Sequence, residues 1–319
     1  MAMFRVLSLD GGGIKGTFTA SVLAELETLC GKRIQDSFDL IVGTSTGGIL
    51  ALGLSLGFEA KTLLDFYVNE GPKIFPFTGR VSRTRASIRQ LFSSKLSAQP
   101  LAKALEEILG EKRLSDAMTP LVIPAYDAVE GRIYLFKTAH GSNGKQDMDM
   151  KAADVALATS AAPTYFEAAK SKERLGAQHV DGGVWANNPA MIGIVEAQAF
   201  LNQPLEEIHL LSVGTTSEPF NISQHTNSGV AKWNVGLLSL MMEGQSEAAN
   251  AQARLLLGKR FHRINTLVKG GQYAMDDGRS EKIAELLQLG RGEAQKKINR
   301  EGVEKAFLNG TPLKQIWPS

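Results

Sequence analysis

Short strand-forming and helix-forming segments alternate along this chain of 319 residues, which predicts an α/β fold with a mainly parallel sheet and helices on both faces. Two observations support this fold class. Phe38–Val42 is largely apolar, which is typical of a parallel strand covered on both faces. The first two predicted strands each end in a glycine cluster that precedes a helix. Such turns are typical of the carboxyl edge of a parallel sheet, where α/β proteins place their functional sites.

The individual elements follow from local patterns. Phe4–Leu9 is rich in strand-forming residues, and Lys15–Cys30 carries apolar residues at helical spacing. Asn188 and Pro189 suit the N-cap and the first position of a helix. Further strands are predicted over Leu121–Tyr126, Arg132–Lys137, His179–Val180 and Ile208–Val213. Further helices are predicted over Thr46–Gly57, Lys61–Phe75, Leu101–Leu109, Ala152–Thr159, Trp233–Leu257, Ser280–Leu289 and Glu293–Leu308.

The stretch from Leu40 to Phe58 contains no charged residue, and a stretch of that length can be a membrane span. Six small or polar residues, 43–48, interrupt it. We therefore interpret it as a strand, a sharp turn and a helix that is apolar all round. A helix of that kind outside a membrane lies at the centre of a sizeable domain.

Charge and cysteine content exclude some classes of protein. The chain has 35 basic and 33 acidic residues, a net charge of +2, which gives no overall reason to expect a nucleic acid polymer as partner. Cys30 is the one cysteine, so no intrachain disulfide can form. No apolar segment with a cleavage site follows the first residues. These features predict a cytoplasmic protein.

The first glycine cluster, Asp10–Gly16, permits two interpretations. Gly11, Gly13 and Gly16 fit the spacing of a dinucleotide-binding turn, but Asp10 would place a negative charge beside the pyrophosphate. The alternative is an oxyanion hole. Three consecutive glycines, including Gly12, let bare backbone N–H groups converge on a carbonyl oxygen that becomes negative during attack.

The second glycine cluster contains the pattern Gly-x-Ser-x-Gly, with Ser45 between Gly43 and Gly47. The pattern lies between a predicted strand and a predicted helix, which is the context of a nucleophile elbow. It therefore predicts Ser45 as a nucleophile.

Two kinds of residue could accept the serine proton. The order nucleophile, acid, histidine permits His209, His225 or His262, although none of them lies in a specialised turn. Asp181 ends a predicted strand and precedes two glycines, so its carboxylate could reach Ser45 and serve as the base without a histidine.

Three segments in this order, DGGGIKG, GTSTGG and DGGVWANNP, resemble the patatin-like phospholipases. The resemblance covers about residues 4–200. It implies a three-layer patatin-like fold, and we predict residues 1–205 as its catalytic core. Residues 201–319 match no motif of the family, and their helical patterns predict residues 206–319 as a mainly helical part of the same domain. It also implies that Ser45 and Asp181 form the catalytic pair and that Gly11, Gly12 and Gly13 form the oxyanion hole.

The activity implied by the resemblance is hydrolysis of acyl esters in membrane phospholipids through an acyl-serine intermediate, without a metal or other cofactor. The openings of both glycine segments look like those of bacterial effectors of antiviral signalling that a cyclic nucleotide activates. A cyclic nucleotide and the inner membrane surface are therefore expected partners, and the sequence also allows a homo-oligomer. The alternatives are a catalytically silent patatin-fold protein for storage or lipid binding, and a Rossmann-type nucleotide-binding protein.

A basic segment follows the third predicted helix. Between Gly71 and Lys95 there are six basic residues and no acid, among them Arg80, Arg83 and Arg85. They could contact anionic lipid, bind the phosphates of a nucleotide, or form a solvated face. A lid over the site is expected in Gly71–Ser97 or in Thr215–Gly229.

Overall fold

The computed structural model describes residues 3–76, 96–140, 145–171, 174, 176–218 and 230–309, with the backbone alone described for residues 145 and 230–239. Arg80, Arg83, Arg85 and His225 lie outside the described residues, as do most of the two segments considered for a lid.

A single mixed sheet forms the centre of the fold. Its strands are β1 (Phe4–Leu9), β2 (Leu40–Gly43), β3 (Leu121–Asp127), β4 (Arg132–Lys137), β5 (Ala169–Lys170), β6 (Gln178–Asp181), β7 (Ile208–Val213) and β8 (Phe261–Ile264). Their order is β5-β6-β3-β2-β1-β7-β8, with β4 also paired to β3. Strands β3, β2, β1, β7 and β8 are parallel neighbours, whereas β4, β5 and β6 pair in the antiparallel sense.

Helices cover both faces of this sheet. They are α1 (Gly16–Cys30), α2 (Thr46–Ser55), α3 (Ala60–Ile74), α4 (Gln99–Leu109), α5 (Ala152–Thr159), α6 (Gly183–Ala186), α7 (Ala190–Ala199), α8 (Val230–Leu257), α9 (Ser280–Gln295) and α10 (Lys297–Val303). Strand β1 shows the two layers, because Leu7 and Leu9 pack into the core under α1 and α2 while Phe4 and Val6 pack into the core under α7 and α8. The predicted three-layer α/β fold with a mainly parallel sheet is confirmed.

Every residue of α2 is buried, and the helix lies between the sheet and α1, α3 and α5. This confirms that the uncharged stretch from Leu40 to Phe58 belongs to the protein core. Within the described part of the chain, no helix combines the length and the apolar character that a membrane span requires.

The second half of the chain differs from the sequence prediction in several elements. The patterns missed β5, β8 and the short helix α6. The helix predicted from Asn188 begins at Ala190 instead, with Pro189 as N-cap, although the Asn188 side chain still accepts a hydrogen bond from the Ala190 N–H. The boundary between the two helices predicted over Ser280–Leu289 and Glu293–Leu308 lies further along the chain than predicted. Helix α9 continues to Gln295, and α10 begins at Lys297.

The part of the chain after residue 205 contributes to the same sheet as the part before it. Strand β7 pairs along its whole length with β1, and β8 extends the sheet beyond β7. The carboxyl ends of β7 and β8 therefore lie at the same edge of the sheet as the two glycine clusters.

Candidate active site

Ser45 and Asp181 are in direct contact. The Ser45 hydroxyl donates a hydrogen bond of 2.6 Å to Oδ2 of Asp181, and both side chains are buried. The two residues reach this contact by different routes. Ser45 lies in the turn between β2 and α2. Asp181 is the last residue of β6, which runs antiparallel to β3, and it is paired there with Ala125 of β3.

The backbone at Ser45 is strained in the way that a nucleophile elbow requires. Its φ of 55° and ψ of −124° are rare for a residue with a side chain. A Cβ at Gly43 would lie 2.2 Å from the carbonyl oxygen of Gly47, and a Cβ at Gly47 would lie 2.3 Å from that of Leu9. Both flanking glycines are therefore required by the close approach of backbone atoms.

A side chain from α5 holds the elbow in place. The Ser45 N–H donates to Oγ1 of Thr159 at 3.0 Å, and the Thr159 hydroxyl donates in turn to the carbonyl of Pro124 at 2.6 Å. This chain of hydrogen bonds ties the elbow to β3. Since α2 begins at Thr46, the positive end of its dipole lies beside the serine.

The environment of Asp181 suits a proton acceptor. Its Oδ1 accepts a hydrogen bond of 2.6 Å from the Gly183 N–H, which leaves Oδ2 directed at the serine. Burial raises the pKa of Asp181 to about 6, against the smaller opposing effect of its hydrogen bonds from Ser45 and Gly183. A carboxylate with that pKa is a stronger base than an ordinary aspartate and is still ionised at neutral pH.

The first glycine turn lies against Ser45. A Cβ at Gly11 would be 3.3 Å from the serine Cβ. The N–H of Gly11 donates to the backbone carbonyl of Asn187 at 2.9 Å, so it is occupied. Within the described residues, no acceptor takes the N–H groups of Gly12 and Gly13. Of the three glycines predicted for an oxyanion hole, these two have N–H groups that no described residue occupies.

Asp10 has a structural partner that the sequence did not reveal. Arg263, from β8, donates two hydrogen bonds to its carboxylate at 3.0 and 2.6 Å and a third to the Ser212 hydroxyl. Thr215, just beyond β7, donates to the Gly11 carbonyl at 2.9 Å. The glycine turn is thus fixed by residues more than 200 positions further along the chain.

An apolar cavity of about 800 Å³, including its opening to solvent, lies above the serine–aspartate pair. Ser45, Asp181, Gly12 and Gly13 form part of its wall. The rest of the wall is mostly aliphatic and aromatic, with Ile49, Phe66, Ile74, Phe75, Leu101 and Phe166 among its residues. Such a cavity can hold an acyl chain with its ester carbonyl at the serine.

The described histidines that were considered as bases lie elsewhere. His209 is near the amino end of β7 and packs against Phe307, and His262 is within β8 close to Gly302. Neither of them lines the cavity that contains Ser45. Among the described residues, no group of three or more histidine, cysteine or carboxylate side chains is arranged to hold a metal ion.

The fold and this arrangement of serine, carboxylate and free amides define an α/β protein of the hydrolase class. The family model for patatin-like phospholipase matches residues 7–194. This chain belongs to the patatin-like phospholipase family, which excludes the dinucleotide-binding alternative.

Similar proteins occur in bacteria and plants. A cGAMP-activated phospholipase of Pseudomonas aeruginosa is 32% identical, and the alignment covers 98% of this chain and 91% of that protein. A cGAMP-activated phospholipase of Vibrio cholerae is 37% identical over 76% of this chain and 74% of its own length. Patatin-like protein 3 of Arabidopsis thaliana is 28% identical over 95% of this chain and 83% of its own length.

Proposed function

We propose that this chain is a phospholipase of the A type that cleaves acyl esters of membrane phospholipids with Ser45 and Asp181 as a catalytic dyad. The hydrogen bond of 2.6 Å between these two buried side chains, beside free backbone amides and an apolar cavity, is the observation that carries the proposal. Family membership supports the phospholipase class, and the cavity supports an acyl chain as the group bound next to the serine.

In the first half of the reaction, Oγ of Ser45 attacks the ester carbonyl carbon while its proton moves to Oδ2 of Asp181. The carbonyl oxygen becomes negative and accepts hydrogen bonds from the N–H groups of Gly12 and Gly13. The bond between the carbonyl carbon and the glycerol oxygen then breaks. That oxygen leaves with the proton held by Asp181, and the acyl group remains on Ser45.

In the second half, water takes the place of the departed alcohol. Asp181 accepts a proton from the water as its oxygen attacks the acyl carbon, and the same amides stabilise the negative charge. The bond from the acyl carbon to Oγ breaks, and Ser45 recovers its proton from Asp181. The products are a fatty acid and a lysophospholipid, and Asp181 ends the cycle ionised, as it began.

We also propose that cGAMP activates this enzyme, as the names of the two bacterial relatives state for those proteins. The membrane surface would then be the place of action, with the basic residues Arg80, Arg83 and Arg85 in contact with anionic lipid or with the nucleotide. A bacterial antiviral role fits this pair of partners.

Labelling with a serine-reactive fluorophosphonate, with and without cGAMP, tests the chemistry and the activation together. We expect labelling of the wild type that increases with cGAMP, and loss of labelling in Ser45→Ala. Ser160 lines the same cavity, so Ser160→Ala is the matched control and is expected to retain labelling. Absence of labelling and of phospholipid hydrolysis under both conditions would favour the silent storage or lipid-binding alternative.

A further inference from the structure

A second, polar cavity adjoins the first glycine turn, which also forms part of the wall of the apolar cavity. It encloses about 1130 Å³, including its opening to solvent. Four residues line both cavities, namely Gly12, Tyr165, Met242 and Met275. Because Gly12 lines both cavities and Ser45 lines the apolar one, an ester at Ser45 would have the polar cavity next to it across Gly12. An amphiphile with an ester between its apolar and polar parts fits this arrangement.

The charges around the polar cavity are not balanced. Asp10 and Arg263 neutralise each other through their two hydrogen bonds. Among the described residues of the wall, the remaining charged side chains are one cation, Lys15, and three carboxylates, Glu218, Glu243 and Glu247. Within the described part of the chain, neither Glu243 nor Glu247 has a hydrogen-bond or ion-pair partner, whereas Glu218 accepts from the Gly271 N–H at 2.7 Å. The described part of the wall therefore offers more negative than positive charge.

Two further side chains of the wall have a buried oxygen without a hydrogen-bond partner among the described residues. Thr216 is 5% exposed, and its buried hydroxyl oxygen has no hydrogen-bond partner among the described residues. The buried Oδ1 of Asn187 likewise has no partner there, while the amide nitrogen of the same side chain donates to Ser246 at 3.2 Å. Both oxygens are shielded from solvent, so the groups that the wall presents to a ligand are its charged side chains.

We infer that the polar cavity receives the head group of the phospholipid and prefers one that carries an ammonium group, with Glu243 and Glu247 binding the ammonium and Lys15 binding the phosphate. This inference deepens the proposed function and rests on it. The glycerol oxygen that departs from the acyl carbon is joined through the glycerol to the phosphate and head group, so the polar half of the substrate would lie beyond Gly12, where these charges are.

The charge pattern separates zwitterionic from anionic head groups. In phosphatidylethanolamine a phosphate and an ammonium are a few bonds apart, which suits a wall that carries Lys15 together with Glu243 and Glu247. In phosphatidylglycerol the ammonium is replaced by hydroxyl groups, so the two glutamates would remain without a cation and would repel the phosphate. A nucleotide that carries phosphates and no cation meets the same repulsion.

The test is a competition within one vesicle. Vesicles containing equal amounts of phosphatidylethanolamine and phosphatidylglycerol, with identical acyl chains, are treated with the enzyme and cGAMP, and both lysophospholipids are quantified by mass spectrometry. Because both lipids share one surface and one enzyme population, the product ratio depends neither on vesicle docking nor on the degree of activation. We expect the ethanolamine lipid to be favoured by about tenfold, the effect of one hydrogen bond between charged groups.

Glu243→Gln/Glu247→Gln is expected to bring this ratio close to one. Glu107→Gln/Glu206→Gln changes the net charge equally at exposed positions outside the cavity wall, and is expected to keep the wild-type ratio. A test without variants replaces the ethanolamine lipid by its N-acetyl derivative, which lacks the positive charge and is expected to lose the advantage.

The outcomes distinguish this inference from the proposed function. Hydrolysis of both lipids at equal rates by the wild type, or a preference that survives in the glutamate double variant or in the N-acetyl lipid, overturns the head-group assignment alone. Failure to hydrolyse either lipid, together with failure to react with the fluorophosphonate, overturns the phospholipase proposal and the head-group assignment with it.

Discussion

Asp181 reaches Ser45 from a strand that runs against the direction of the parallel sheet, and its two carboxylate oxygens are divided between the Gly183 amide and the serine hydroxyl. One oxygen fixes the orientation of the carboxylate, and the other is left for the proton. This division orients the carboxylate toward the serine, and no histidine lines the described wall of the cavity.

The first prediction concerns this carboxylate. Asp181→Asn keeps the size and the hydrogen bond from Gly183 but removes the base, so we expect kcat to fall by about 10²–10⁴-fold. The folded state should be at least as stable at neutral pH, because the variant no longer buries a charge. Hydrolysis of a phospholipid and chemical denaturation measure the two effects. Substantial residual turnover would indicate that a histidine accepts the proton.

The second prediction is the pH dependence of the reaction. Asp181 must be ionised to accept the serine proton, and burial raises its pKa to about 6. We expect kcat/KM to rise about tenfold per pH unit below that value and to level off above it. The variants His209→Gln, His225→Gln and His262→Gln should show the same rise of kcat/KM with pH. Its disappearance in any of them would contradict the assignment.

The same pKa also affects stability: activity is expected to rise with pH, whereas the contribution of Asp181 to the free energy of unfolding is expected to fall. An aspartate in the unfolded chain has its ordinary pKa near 3.8, so between pH 4 and 6 the folded protein binds more protons than the unfolded chain. The contribution of Asp181 to the free energy of unfolding therefore falls as pH rises from 4 to 6, by on the order of 3 kcal/mol. Denaturation curves of wild type and Asp181→Asn should converge toward pH 4; parallel curves would show that Asp181 has an ordinary pKa.

The third prediction concerns the ion pair between Asp10 in the first glycine turn and Arg263 in β8. Arg263→Gln leaves the buried carboxylate of Asp10 without its cation, and we expect a loss of about 3–5 kcal/mol in the free energy of unfolding. Asp10→Asn/Arg263→Gln removes both charges together and should recover much of that loss. If the single variant is as stable as the wild type, the pair does not hold the glycine turn.

The fourth prediction concerns the elbow. Gly47→Ala would place a Cβ 2.3 Å from the carbonyl oxygen of Leu9, so the elbow must shift, and we expect loss of fluorophosphonate labelling with reduced stability. Gly292→Ala is the control, since its Cβ meets no atom within 4 Å in α9. That change should raise stability by up to about 1 kcal/mol, the difference in helix propensity. Full labelling in Gly47→Ala would contradict the strained geometry.

The fifth prediction concerns the basic segment. Replacement of Arg80, Arg83 and Arg85 by Glu should weaken binding to anionic vesicles or to cGAMP, at roughly 1 kcal/mol for each basic residue at a membrane surface. Replacement by Gln removes the charges without reversing them and should have a smaller effect. Circular dichroism checks that the fold survives. Unchanged binding of both ligands would assign these residues to a solvated face.

Much of this fold could be predicted from sequence because its signals are local. The strand at Phe4–Leu9 agrees in both bounds, and the helix after Ser45 begins where its glycine cluster indicates. The elements that were missed are short: β5 has two residues and α6 has four. Their positions depend on pairing with β6 and on packing rather than on any periodic pattern.

The candidate site divides in the same way. Ser45 and Asp181 stand in glycine-rich segments whose composition is unusual, so they could be found without coordinates. Arg263, Thr215 and Asn187 carry no such signal, because an isolated arginine, threonine or asparagine is common at any surface. Their contributions arise from contacts across more than 130 positions of the chain, which only the folded structure reveals.

The close approach of the backbone at Gly43 and Gly47 has a consequence for how this enzyme can change. At both positions a backbone carbonyl oxygen leaves room for a hydrogen atom but not for a Cβ. The position of Ser45 between them therefore cannot be adjusted by substituting either glycine. Side chains that line the two cavities away from Ser45 and Asp181 can be replaced without adding an atom at this turn. Altered lipid preference can be sought there by mutagenesis while the reacting centre is left untouched.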